Sequence, residues 1–89
     1  MTPKILKVSG KTNPKKLAGA IFLTLKENGG EVTIQAVGAG AVNQAVKGIV
    51  IARGMSATLD MDLKIIPGFQ NIKILDRDVT AIQLLVRVA

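Results

Sequence analysis

The spacing of apolar residues changes several times along the chain, and each change marks the boundary of an element. Lys4 to Ser9 is short, rich in β-formers and closed by Gly10, which predicts a first strand. Asn13 then offers a helix cap and Pro14 suits the first helical position; Leu17, Ala20, Ile21 and Leu25 follow at helical spacing. Phe22 and Leu23 widen that stripe, and Asn28-Gly29-Gly30 stops it. Glu31 to Val37 alternates weakly, with Val32, Ile34, Ala36 and Val37 apolar, and predicts a second strand leading into the turn Gly38-Ala39-Gly40. Val42, Ala45, Val46, Ile49 and Ala52 predict a second helix that ends near Arg53-Gly54, where a cation and a glycine both suit a C-terminus. Leu59, Met61, Leu63, Ile65 and Ile66 predict a third strand that resumes with Phe69, Ile72 and Ile74, and Pro67 assigns it to a sheet edge or a break. Asp76-Arg77-Asp78 predicts a turn, and Val79 to Val88 a long last strand with Ile82, Leu84, Val86 and Val88 facing one way.

The resulting order, β-α-β-α-β-β, has no repeat, linker or low-complexity segment. It predicts a two-layer α/β fold of the α+β kind: a four-stranded mixed sheet with two helices on one face, in one domain over residues 1–89. Val50 and Ile51 fall off the second helical stripe, so that helix carries apolar surface on more than one side. In a chain of 89 residues a second subunit is an economical cover for them and for an open strand edge, which predicts a homodimer or higher homo-oligomer.

Composition narrows the chemistry. Apolar residues make up 48% of the chain and charged residues 20%, enough to build a core. Cys and His are both absent, which removes disulfides, thiol chemistry, zinc ribbons, imidazole acid–base pairs and the Ser-His-Asp arrangement. Ser9, Ser56 and Thr80 therefore have no imidazole to activate them. Asp60 with Asp62, and Asp76 with Asp78, lack a third ligand or a partner base and read as solvated turns. Phe22 and Phe69 are the only aromatic residues, which argues against a sheet that stacks several bases on rings. The N-terminal lysines are not followed by a signal-like apolar run, and no stretch reaches the ~18 apolar residues of a membrane span. The expectation is a non-enzymatic cytoplasmic protein with no cofactor, no metal, no membrane contact and no small-molecule substrate.

Charge is more informative for its position than for its total of +6. Through Arg53 the chain holds eight cations against Glu27 and Glu31, whereas the remainder balances, so the whole excess lies in the first part. Such a one-sided field suits a polyanion. Lys11, Lys15 and Lys16 surround the first helix start, where the helix dipole makes a cation cost roughly 0.3–1 kcal/mol. A bound phosphate would reverse the sign of that effect; a fully hydrated lysine would make it small.

Gly38-Ala39-Gly40-Ala41-Val42-Asn43 follows a strand and opens a helix, as a dinucleotide fingerprint does, but Asn43 stands where the third glycine belongs. A chain this short cannot build the two-halved nucleotide-binding sheet, so the cofactor reading is rejected. What remains is a glycine turn that permits close backbone approach at a helix N-terminus, with Asn43 and Gln44 able to add hydrogen bonds, or simply a tight strand-to-helix turn.

Several stretches resemble the stage V sporulation protein S family, small bacterial proteins of the Alba-like fold. They are Leu6-Lys7-Val8-Ser9, Leu17-Ala18-Gly19-Ala20, Ile34 through Lys47, and Ile51-Ala52-Arg53-Gly54, which together cover nearly the whole chain. The resemblance implies the β-α-β-α-β-β fold, a role in spore development and, through the likeness to Alba chromatin proteins, a dimer that lays a basic patch on a DNA or RNA backbone. Lys11, Lys15, Lys16, Gly38, Gly40, Asn43, Lys47 and Arg53 occupy the regions that correspond to that patch. Alba proteins carry a longer basic hairpin arm; here the loop before the last strand is short, with Arg77 as its only cation. The competing expectation is a protein-interaction module whose basic face docks on an acidic partner or whose sheet edge accepts a strand.

Overall fold

The computed structural model describes residues 4–89. They form β1 (Ile5–Val8), α1 (Pro14–Glu27), β2 (Glu31–Ala36), α2 (Ala39–Ala57), β3 (Leu63–Ile74) and β4 (Arg77–Val88). The sheet order is β1-β2-β4-β3, with β1 parallel to β2 and the other neighbours antiparallel. The β3 strand is thus an edge, and Pro67 sits in it without breaking it, opposite Leu84. An edge strand can carry a residue that lacks an N–H because one of its sides has no ladder to complete.

Alternation divides the two sheet faces. Val32, Ile34 and Ala36 of β2 and Leu84 and Val86 of β4 turn one way and are buried against Leu17, Ala18, Ile21 and Leu25 of α1 and Ala41, Ala45, Ile49 and Ala52 of α2. The other face is amide- and charge-rich: Lys7, Gln35, Gln83 and Gly68 form one row across all four strands.

The helices meet along small residues. The buried positions of α2 are Ala41, Ala45, Gly48, Ile49, Ala52 and Ser56, so Ala45, Ile49 and Ala52 of the expected stripe are buried and Val42 packs against the core, while Gly48 joins that face and Val46 is left exposed. The reason is the closeness of α1: a β-carbon on Gly48 would stand 2.6 Å from a Leu17 methyl. Val50 is exposed as its position off the stripe implied, but Ile51 packs against the core and needs no second subunit to cover it.

Two boundaries differ from the sequence reading. The second helix does not stop at Arg53-Gly54 but runs to Ala57, because Ser56 is fully buried and its hydroxyl donates to the Arg53 carbonyl at 3.1 Å. Its stop is made by Asp60 at φ 58, with the Met61 N–H bonded back to the Ser56 carbonyl at 3.0 Å. Leu59 and Met61 therefore belong to this connection and not to a strand. The hairpin turn is likewise Leu75-Asp76, at φ 51 and 63, so Arg77 and Asp78 stand inside β4, opposite Ile74 and Lys73. Since Ala36 at the end of β2 pairs with Ile82, the outer parts of β3 and β4 continue beyond it as a two-stranded arm. A short turn thus terminates a substantial arm, which carries Lys73 as well as Arg77.

Candidate nucleic-acid interface

The β1–α1 connection is fixed by its own hydroxyls. The Ser9 N–H donates to Thr12 Oγ1 at 2.9 Å, the Lys11 N–H to Ser9 Oγ at 3.2 Å and the Thr12 N–H to the Ser9 carbonyl at 3.1 Å. This folds Gly10 and Lys11 outward. Asn13 then caps α1, its Oδ1 accepting from the Lys15 and Lys16 N–H groups at 2.9 and 3.1 Å. The Leu17 N–H bonds to the Asn13 carbonyl, and Pro14 has no N–H to offer. The start of α1 therefore presents lysine side chains and no free backbone donors.

The start of α2 is the opposite case. Its N-cap is Gly38, at φ 91 and ψ 157, and no side chain caps the N–H groups that follow it. That backbone region is open in practice only to glycine, so the residue that makes the turn also leaves the helix end bare. Uncapped N–H groups and the helix dipole together favour an anion there.

These two starts lie side by side. A β-carbon on Gly40 would stand 3.5 Å from Gly10 Cα, and Gln44 Nε2 donates to the Thr12 carbonyl at 2.8 Å. The backbone of the lysine-bearing connection is thereby held next to the bare helix end of the other, with Lys11 directly after Gly10, while Lys15 lies along a groove with Val46, Lys47, Val50 and Ile51 further down α2. The side chains of Lys11, Lys15, Lys16, Asn43 and Lys47 are exposed, as are Gly38 and Gly40. The sequence has no Asp or Glu before Glu27 and none from Val32 through Leu59, so no acid sits in either connection or anywhere along α2.

A family model described as stage V sporulation protein S (SpoVS) matches residues 4–89. The chain belongs to the SpoVS family. Among solved structures, Alba from Thermoplasma volcanium is similar to this SpoVS chain with a TM-score of 0.65 and 20% sequence identity, over 94% of this chain and 99% of that one. The SpoVS fold is thus Alba-like, as the resemblance implied.

The residues expected at a basic patch do not all lie together. Lys47 lies about two turns into α2, near its midpoint and about 12 Å from the helix start at ~1.5 Å per residue, and Arg53 is about 20 Å from it. Arg53 Nε is bonded to Asp62 Oδ1 at 2.7 Å, and Asp62 also accepts from the Leu63 N–H. The hydrogen bond to Asp62, reinforced by charge attraction, raises the guanidinium further above its ordinary range; the same hydrogen bond is the main cause that holds the Asp62 carboxyl low. Arg53 is a cation tied into the helix-to-strand connection. Gln44, expected to add side-chain hydrogen bonds at a ligand, gives one of its two amide N–H groups to the Thr12 carbonyl. Ser9 and Thr12, which carried no role in the sequence reading, shape the loop; their spacing of three residues is the signal that could have marked them. Among the described residues no helix is long and apolar enough to cross a membrane.

Proposed function

We propose that this SpoVS protein is a non-enzymatic nucleic-acid-binding regulator that acts in the cytoplasm during spore development and grips the phosphate backbone with little sequence preference. One observation supports the reading above the others: the Gly10–Gly40 approach sets an uncapped helix end beside the connection that carries Lys11 and leads into Lys15 and Lys16, and neither connection holds an acid. Phosphate oxygens are the ligand for which N–H groups and ammoniums work together. Lys11, Lys15, Lys16 and the Gly38–Gly40 turn make the primary contact, with Asn43 and Lys47 extending it; Arg53 is at most a peripheral contact. Lysine is a point charge and does not select a base by bidentate geometry, which accounts for the low specificity.

The active form is a homodimer or higher homo-oligomer. Ile65 and Phe69 share the helix-side face of edge strand β3, in register with Val86 and Ile82, and are 41% and 81% exposed. With Val50 at 64% they make apolar surface that a second copy would remove from water. Changing Lys15 and Lys16 together to Glu should abolish binding to DNA and RNA while leaving the far-ultraviolet circular dichroism unchanged and the melting temperature equal or higher, since acids suit the first turn of a helix. Retained binding at physiological salt would refute the assignment.

A second reading has its own support. Pro14, Val46, Val50 and Ile51 line an apolar groove flanked by Lys15 and Lys47, a surface suited to an acidic partner protein. Recovery of one protein partner through this groove, unaffected by nuclease, would favour it.

A further inference from the structure

The arm of β3 and β4 does not simply project. Its tip returns toward β1, so that Ile72, Lys73 and Ile74 line one cleft with Lys7, Val8, Ser9 and Gly10, although β2 and β4 lie between those strands in the sheet. Gln35 and Val37 line it as well, and Gln35 Nε2 donates to Gln70 Oε1 at 3.2 Å across β4. That bridge passes where β4 offers Ala81, opposite Gln70, with no bulk to obstruct it.

The lining has a particular chemistry. Lys7 and Lys73 line it from opposite sides, and no carboxylate lines the cleft. Lys73 touches Asp78 only at 3.8 Å, with both side chains largely exposed, so its charge is not committed. Val37, Ile72 and Ile74 provide an apolar surface, and the Gln35 amide keeps a second N–H and an acceptor oxygen after its bond to Gln70. The cleft encloses about 440 Å³, within the ~300–1,000 Å³ range of sites that hold one small ligand unit. Ser9 and Gly10 are also part of the lysine-rich connection, and Gly10 faces Gly40, so the cleft opens directly beside the proposed phosphate contact.

We propose that this cleft receives an unpaired nucleotide of a single-stranded nucleic acid, its base laid against Val37 and Ile72 with an edge to the Gln35 amide, and its flanking phosphates held by Lys7 and Lys73. The inference rests on the backbone-binding reading above and deepens it by naming the strand state. In a duplex the base edges that an amide could read are used in pairing, and two joined strands do not enter a cleft of this size; a splayed base does.

The test compares a labelled 12-nucleotide oligo(U) with a 12-base-pair duplex, by fluorescence anisotropy, on the full chain. Lys7→Gln with Lys73→Gln is set against Lys26→Gln with Lys64→Gln, which removes the same charge elsewhere. The cleft variant should lose tenfold or more in affinity for oligo(U), against less than threefold for the control variant, while the two variants lose equal affinity for the duplex. Equal losses of oligo(U) affinity in both variants would overturn the proposal. The Lys15→Glu, Lys16→Glu variant separates the two claims: if it still binds duplex, the backbone reading fails, whatever the cleft variants show.

Discussion

The Gln44 side-chain amide donates to the Thr12 carbonyl at 2.8 Å, a bond across 32 positions of sequence that joins the lysine-bearing connection to the first turns of α2. It is the one side-chain hydrogen bond recorded between those two segments among the described residues. Gln44→Ala should therefore cost about 1 kcal/mol of stability, the net value of a typical hydrogen bond. Because the lysine-bearing connection would no longer be held beside the bare helix end, duplex affinity should fall several-fold more than the melting temperature alone would imply. Titration of folded protein at a temperature well below the transition separates the two effects.

Gly38 and Gly40 look alike in the sequence and should respond differently to the same change. Gly38 has φ 91 and ψ 157, so Gly38→Ala forces a side chain into a strained backbone region and should cost about 1–3 kcal/mol. A β-carbon on Gly40 would meet Gly10 Cα at 3.5 Å, an ordinary van der Waals contact. Gly40→Ala should thus fold with near-native stability, as urea unfolding of the two variants will show.

At Gly48 space decides the outcome instead. A β-carbon there would be 2.6 Å from Leu17 Cδ2 and 3.2 Å from Leu17 Cβ, so rotation of the leucine cannot clear it. Gly48→Ala gains about 1 kcal/mol in helix propensity and loses about 1–3 kcal/mol to overpacking. The net change should be neutral to destabilising. A double-mutant cycle with Leu17→Ala should give a coupling energy that favours the pair of small residues; an additive cycle would mean that the two positions do not collide.

The arm holds a recoverable defect. Leu75 is 91% exposed and sits at φ 51, and Asp76 at φ 63, the left-handed pair of a two-residue turn that Asn-Gly fits best. Replacing Leu75 by Asn and Asp76 by Gly should raise stability by about 1 kcal/mol, since a left-handed conformation costs an ordinary side chain roughly 1–2 kcal/mol. Thermal unfolding measures it directly.

Much of this was legible in the sequence, and what was not has identifiable causes. Six elements and their order follow from periodicity, since burial of Val32, Ile34 and Ala36 on one side of a strand enforces alternation, and Asn13-Pro14 announces a helix start by local chemistry alone. The end of α2 was misread because Gly54 looks like a stop while the burial of Ser56, a tertiary demand, carries the helix past it. On the buried face of α2 only Val46 departs from the expected stripe, and Gly48 joins it for a similar reason: the proximity of Leu17 makes that glycine a contact. Within the candidate interface, the lysines and glycines were visible as residue types. Their adjacency was not, because the Gly10–Gly40 approach and the Gln44–Thr12 bond join segments about thirty residues apart. The separation of Arg53 from the group follows from α2 being a single straight run past it to Ala57 and from Asp62, and neither can be read from local spacing.

The central claim, that lysines gathered at two adjoining helix starts bind phosphate, is tested most directly by the salt dependence of duplex DNA binding. If the dimer neutralises about six phosphates, the plot of log affinity against log salt should have a slope of roughly −5. Replacing Lys15 and Lys16 by Gln in each protomer should make that slope shallower. A wild-type affinity indifferent to salt, or a slope unchanged in the variant, would contradict the account.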